Sequence, residues 1–394
     1  MILLLCTSEV NAKARGTSKT DGIYSKILSE QRDLLIHLPN SYDQNKSSKY
    51  PVIYLTDGLR NFNHASGTLD LLNQSDYAQE MIIVAIKNTH RTRDFTPTYD
   101  ESYNKWGISG GADNFLDFME QELIPYVDKT YRTNNFNVLS GHSLGGLLAI
   151  YALQSRTNLF QAYFAFSPSL WWHNGVIFKN AENLYTNTNK LNRYLYINMA
   201  NEGGHMLSSF EKYIKLLQKD SPNGFVYHTD LIKEESHDTS AMVGLNKAYR
   251  HINEIFQCPE EVIAQGIPAI EQFYSDLSQT FGASIKADYP TLAKVAGNAY
   301  SHKNNVKAVE TYQSIVARFP HLSDPYYRLA YIYEADGKYK KALTAIDKAL
   351  EISLKENVEN NKYKSFKTYI LTSMKNMLSK NQTVIQNKEQ TLSK

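Results

Sequence analysis

The sequence predicts an α/β domain built on a mostly parallel sheet covered by helices on both faces, followed by an all-α domain. Three observations carry this. Short, fully apolar segments alternate with segments of helical spacing from Ile23 to about Gln257. Strands with no polar face are buried on both sides, as in parallel sheets. After Cys258 the strands stop and helical spacing continues alone. Finally, 394 residues exceed what one core sustains, since single cores stop growing at roughly 250–300 residues.

The elements follow in order. Ile23–Leu28 and Leu34–Leu38 read as short strands. Pro51–Leu55 reads as a buried strand closed by the turn residues Thr56-Asp57-Gly58. Met81–Ile86 is a further apolar strand. Phe115–Ile124 has helical spacing, and Pro125 is expected to interrupt it. Asn137–Leu139 is a strand running into a glycine-rich turn, and Leu147–Leu153 a helix. Ala162–Phe166, Tyr194–Asn198 and Phe225–Leu231 are strand-like, with helical Phe210–Leu217 between the last two.

Beyond Cys258 a 34-residue period relates Val295 to Leu329, Ala296 to Ala330, Ala308 to Ala342 and Tyr312 to Ile346. Small residues fall where two helices touch, and large ones fill the gaps beside them. The pattern resembles the tetratricopeptide repeat. Two copies are fewer than the roughly three that a free-standing array needs. Helices before Pro290 and around Tyr363–Leu378 are therefore expected as caps, or else the repeats lean on the preceding domain. The expected division is 15–257 for the sheet domain, 258–286 for a helical linker, 287–380 for the helical domain, and 381–394 for a polar, disordered tail.

Composition narrows the function. Basic and acidic side chains nearly cancel, 42 against 40, which gives no hint of a nucleic-acid partner. No apolar run approaches the roughly 20 residues of a membrane helix. The two cysteines, Cys6 and Cys258, provide neither a disulfide framework nor a metal cluster, so no metal or cofactor is expected. Ile2–Cys6 is apolar, and Ala12-Lys13-Ala14 fits a small-x-small cleavage site. Residues 1–14 thus read as the end of a secretory signal starting upstream, which implies the periplasm or beyond. Read instead as a frayed terminus, they leave the chain in the cytoplasm.

The chemistry centres on Gly141-His142-Ser143-Leu144-Gly145. Gly-x-Ser-x-Gly between a strand and a helix forces the serine into strained backbone angles and presents its hydroxyl at the sheet end. A serine hydroxyl needs a base. His237 follows the last strand and is chosen by position over His205 and His228; His142 is expected to pack or to shape the turn. The acid that orients the base should follow the strand Tyr194–Asn198. Glu202 stands there, with Asp230 as runner-up. The oxyanion of an acyl intermediate needs backbone N–H donors. Leu144 should supply one, and Gly58 or Leu59 the other, Gly58 having no side chain to block a close approach.

Four segments together resemble the serine esterase family of α/β-hydrolases, in its siderophore-esterase-like and esterase D-like branches. They are Tyr54–Gly58, Asn88–Pro97, Gly141–Gly146 and Ser167–Trp172. The resemblance covers roughly Ile23 to Gln257. It implies an α/β-hydrolase fold, carboxylic ester hydrolysis without a metal, and a triad at Ser143, Glu202 and His237. Helical repeats are an appendage on such esterases, not a defining part.

Trp171 and Trp172 end a strand on the same sheet edge as Ser143, where an aromatic wall would bind an acyl or aromatic group; the competing reading is packing under a loop. Arg91, Arg93 and Asp94 lie at the same edge and read as an internal Arg–Asp clamp that holds the loop, the alternative being a site for an anionic substrate group. The sequence therefore predicts a serine esterase acting on a small-molecule ester. An acyltransferase with the same triad is the first rival. The second is a non-catalytic scaffold whose repeats bind a partner. The repeats could equally mediate a homodimer.

Overall fold

A computed structural model describes residues 16–43, 46–356 and 358–392, with side chains to residue 379. The apolar N-terminal segment, and with it the signal-sequence reading, lies outside the described residues. Among the described residues no helix is long and apolar enough to cross a membrane.

Eight strands form one sheet: β1 (Thr17–Ser25), β2 (Glu30–Leu38), β3 (Tyr50–Leu55), β4 (Ile82–Ile86), β5 (Thr133–His142), β6 (Ala162–Phe166), β7 (Tyr194–Ala200) and β8 (Val226–Ile232). Their spatial order is β1-β2-β4-β3-β5-β6-β7-β8. The β1–β2 and β2–β4 pairs are antiparallel, and all the others are parallel. The central strands β3 to β7 are buried almost throughout, which explains the largely apolar sequence of β3, β4, β6 and β7; β5 also buries polar residues such as Asn137 and Ser140. The edge strand β1 is largely exposed and carries little apolar signal. It lies earlier than expected: Ile27 and Leu28 belong to the β1–β2 turn. There Glu122 accepts from the Lys26 amide at 2.9 Å, and Ser25 Oγ from the Leu28 amide at 2.9 Å.

The connections are α1 (Gly58–Gln74), α2 (Arg91–Phe95), a 3-10 turn at Glu101–Trp106, α3 (Ala112–Phe118), a π-turn at Met119–Leu123, α4 (Ile124–Thr130), α5 (Leu144–Ser155), α6 (Trp172–Asn187), α7 (Gly204–Asp220) and α8 (Ser240–Phe256). Pro125 does not end its helix as expected. The Ile124 amide donates to Met119 O, five residues back. This wider turn accommodates the ring that a regular helix would reject. Helix α5 is buried from Gly145 to Leu153, so the helix that follows the glycine-rich turn is enclosed on every side.

The chain divides into two compact units. The sheet unit holds Arg15–Gln257 and also Asp276–Ile285, the latter expected to be linker. The return has an apolar cause. Phe136 packs against Phe256 and Phe281 with ring centroids 4.9 and 5.4 Å away. The Ser284 amide donates to Asn134 O at 2.8 Å.

The helical unit takes in α9 (Glu260–Ile263), the first part of α10 (Ile267–Phe281), α11 (Tyr289–Ser301), α12 (Asn305–Arg318), α13 (Asp324–Ala335), α14 (Tyr339–Glu356) and α15 (Asn361–Leu392). Helices α11–α12 and α13–α14 form two successive antiparallel pairs. Every residue of the four period-related couples is buried. Asp288 and Asn304 cap α11 and α12 by accepting from the Thr291 and Lys307 amides. A disordered tail is expected from about Lys380, yet α15 continues to Leu392. Its sequence contains neither Gly nor Pro to stop it.

Candidate active site

Strand register aligns His142 with Phe166, Phe166 with Asn198, and Asn198 with Asp230. The turns after β5, β6, β7 and β8 therefore leave the sheet along one edge. This brings Ser143, Ser169, Glu202 and His237 to a common place although they are distant in sequence.

Ser143 lies between β5 and α5 with φ 59° and ψ −115°, a region that side-chain-bearing residues rarely adopt. Three hydrogen bonds hold it there. Its amide donates to Phe166 O at 2.9 Å, and its carbonyl accepts from the Ser169 and Leu147 amides at 3.1 and 2.9 Å. The flanking glycines are sterically required. A Cβ on Gly141 would stand 2.1 Å from Gly145 O, and one on Gly145 2.4 Å from Thr56 Oγ1. Ser143 Oγ lies 3.4 Å from Ser169 Oγ and, among the described residues, makes no hydrogen bond to His237. Such contacts commonly tighten only when substrate is bound.

His237 stands in the turn between β8 and α8. Its Nδ1–H donates to Glu202 Oε2 at 2.7 Å, which leaves Nε2 as the basic nitrogen. Glu202 follows β7 and is mostly buried. Burial alone would raise its carboxyl, but hydrogen bonds from His237 and Ser167 and the His237 charge prevail and hold it below its ordinary value. Asp230 is occupied elsewhere, accepting from Tyr196 Oη at 2.7 Å and pairing with Lys247 Nζ at 3.3 Å. His205 is exposed on α7. His228 stacks on His251, centroids 4.2 Å apart and planes 19° apart, near Glu254. Rings this nearly parallel cannot both aim an in-plane lone pair at one cation.

His142 is buried beneath His237. Its Nε2 lies 2.7 Å from His237 O. A carbonyl only accepts, so Nε2 carries the proton. Burial first, and the neighbouring His237 second, push the His142 pKa down to about 4, so the ring is neutral at neutral pH.

Two ion pairs frame this arrangement. Arg91 is bidentate to Asp57 (Nε to Oδ1 2.7 Å, Nη2 to Oδ2 3.0 Å) and also donates to His142 O at 3.2 Å. Arg60 of α1 donates to Asp238 Oδ1 at 2.8 Å, beside His237. The expected clamp is thus split. Arg91 serves Asp57, whereas buried Asp94 takes Arg93 Nε at 2.8 Å and Arg32 Nη2 at 2.7 Å.

Leu144 opens α5, and Gly58 and Leu59 open α1. Amides of a first helical turn lack intrahelical acceptors and carry the positive end of the helix dipole. The reason for Gly58 differs from the expectation. A Cβ there would meet Ile86 O at 2.8 Å, so the missing side chain admits the end of β4 rather than a ligand.

The two tryptophans separate. Trp172 is 1% exposed, and its indole N–H donates to Thr98 Oγ1 at 3.2 Å. It supports the wall from beneath and offers no open surface, as the packing reading has it. Trp171 is half-buried, with its indole N–H on Met206 Sδ. The structure adds aromatics that sequence reasoning missed. Tyr103 packs on Trp172, Trp106 and Trp171 with centroids 4.5, 5.3 and 5.7 Å away, and Trp106 is 62% exposed. The density of Tyr99, Tyr103 and Trp106 in one polar loop was the available signal.

Residues 25–206 match the family model described as "Putative esterase". The ferri-bacillibactin esterase BesA of Bacillus subtilis (strain 168) is 31% identical over 169 residues, 38% of this chain and 58% of its own length. The siderophore triacetylfusarinine C esterase of Aspergillus fumigatus is 37% identical over 142 residues, 34% of this chain and 48% of its own length. The chain thus spans about half the length of these curated relatives. Among solved structures, an IroE-like serine hydrolase from Shewanella oneidensis matches with a TM-score of 0.68 at 28% identity, covering 77% of this chain and 100% of that one.

Two measurements check this geometry. Gly141→Ala should lower unfolding stability by about 1–3 kcal/mol, the usual cost of overpacking, as read from the denaturant midpoint. His142 has its folded pKa of about 4 below the ordinary 6.5. The unfolded chain therefore takes up the proton first, and stability falls as pH drops from 6.5 to about 4. His142→Gln should show a shallower loss of stability across that window.

Proposed function

We propose that this chain, whose residues 25–206 match the esterase family model, is a serine-dependent carboxylic ester hydrolase working through Ser143, His237 and Glu202. The observation that carries this reading is the 2.7 Å Glu202–His237 pair at the same sheet edge as the strained Ser143 turn.

In this mechanism Ser143 Oγ attacks the ester carbonyl carbon while His237 Nε2 takes its proton. Glu202 holds Nδ1–H, so that Nε2 is the free base, and offsets the positive charge that the imidazole gains. The carbonyl oxygen becomes an oxyanion. The amides of Leu144 and of Gly58 or Leu59, at the positive ends of α5 and α1, are its assigned donors. His237 then gives its proton to the leaving alkoxide, and the C–O bond breaks. A water, deprotonated by His237, attacks the acyl carbon, and the acid leaves as Ser143 regains its proton.

The surface of Tyr103, Trp106 and Trp171 suits an ester with a flat or apolar portion. The relatives named for ferri-bacillibactin and triacetylfusarinine C support a siderophore ester as the natural substrate. The two helix pairs resemble tetratricopeptide repeats and are assigned a binding or dimerising role.

Ser143→Ala should abolish turnover of a short p-nitrophenyl ester while circular dichroism and melting stay as in the wild type; undiminished turnover would overturn the assignment. Trp171→Ala should raise KM for an aryl-acyl ester roughly 2- to 10-fold, the worth of one aromatic contact, with little change for the acetate ester.

A further inference from the structure

His142 lies one residue before Ser143, and its side chain is buried. Three observations give it a task. First, its Nε2–H donates to the main-chain carbonyl of His237 at 2.7 Å, not to a side chain. Second, its ring lies against the His237 ring, centroids 4.6 Å apart and planes tilted by 49°. Third, it is buried at the last position of β5, where the Arg91 guanidinium holds its carbonyl at 3.2 Å.

His237 stands on a turn, and a turn drifts unless it is tied. The ties are few and specific. Glu202 holds the side chain through Nδ1. Ser240 Oγ donates to the same His237 carbonyl at 3.0 Å. Arg60 grips Asp238, the next residue, at 2.8 Å. His142 alone among these both holds the main chain of His237 and covers a face of its ring. It also links the His237 turn directly to the turn that carries Ser143, through one hydrogen bond across the sheet end.

We infer that His142 is a positioning residue for His237: its Nε2–H and its ring fix the base over Ser143 without touching substrate. The inference rests on the triad reading above. A side chain at 142 must therefore present a donor where Nε2 now stands. The amide nitrogen of glutamine reaches that point, whereas the shorter asparagine puts its amide where Nδ1 is. Phenylalanine keeps the ring and loses the donor.

The test compares His142→Gln, His142→Asn and His142→Phe in the full chain, with kcat and KM for a p-nitrophenyl ester and thermal melting measured on each. Misplacing a catalytic group by about 1 Å can cost on the order of 100-fold. The Asn and Phe variants should therefore lose about 10- to 100-fold in kcat, with KM within about twofold of the wild type, whereas the Gln variant recovers most of kcat. Melting should not follow this order. If all three variants keep the wild-type kcat, or if kcat falls in step with melting and Gln gives no recovery, the inference is overturned while the triad reading stands. If the wild type turns over no ester, or Ser143→Ala remains active, the triad reading fails and takes the inference with it.

Discussion

The arrangement depends on the close approach of β5 and α5 at Gly141–Gly145. The two elements come so near that a single added methyl would lie 2.1 Å from a backbone oxygen, and the residue between them is driven to φ 59°. A strained serine costs on the order of 1–3 kcal/mol, so the surroundings must over-determine it. They do so through the Phe166, Ser169 and Leu147 hydrogen bonds and through an α5 buried on every side. The strain has a chemical consequence. It lifts the hydroxyl clear of the sheet and sets the first amides of α5 behind it, where a developing negative charge is favoured.

The remaining parts of the site hold other loops to that fixed point. The sheet register aligns the turns after β5 to β8, and a few polar contacts complete the alignment. Asp57 shows the economy of this. It precedes α1 in a left-handed conformation, φ 54°, takes Arg91 in a bidentate pair, and through Arg91 reaches the carbonyl of His142. Arg60 on the first turn of the same helix reaches the residue after His237. One strand-to-helix turn beside the serine turn thus steadies both the Ser143 turn and the His237 turn.

The sequence made the fold legible where burial is complete. Strands β3, β4, β6 and β7 are buried on both faces and, Asn198 apart, apolar throughout, so their positions follow from composition. The edge strand β1 faces solvent, so only its end from Ile23 reads as strand, and the exposed 3-10 turn with Tyr103 and Trp106 has no periodicity to betray it. Pro125 misled because a breaker's effect depends on whether the preceding turn can widen, which is a property of packing. For the site, residue order after successive strands singled out Ser143, Glu202 and His237. What order cannot convey is who holds whom: the grip of His142 on a main-chain carbonyl, and the transfer of Arg91 from Asp94 to Asp57, arise only when loops meet. Trp171 and Trp172 are neighbours in sequence, yet one is a surface and the other its support.

The central claim is that Ser143 is the activated nucleophile and that His237 activates it. Labelling with a fluorophosphonate followed by peptide mapping tests it most directly. The account predicts one adduct, on Ser143, formed rapidly in the wild type and lost or greatly slowed in His237→Ala. An adduct on another residue, or labelling of Ser143 that His237→Ala leaves unchanged, would contradict it.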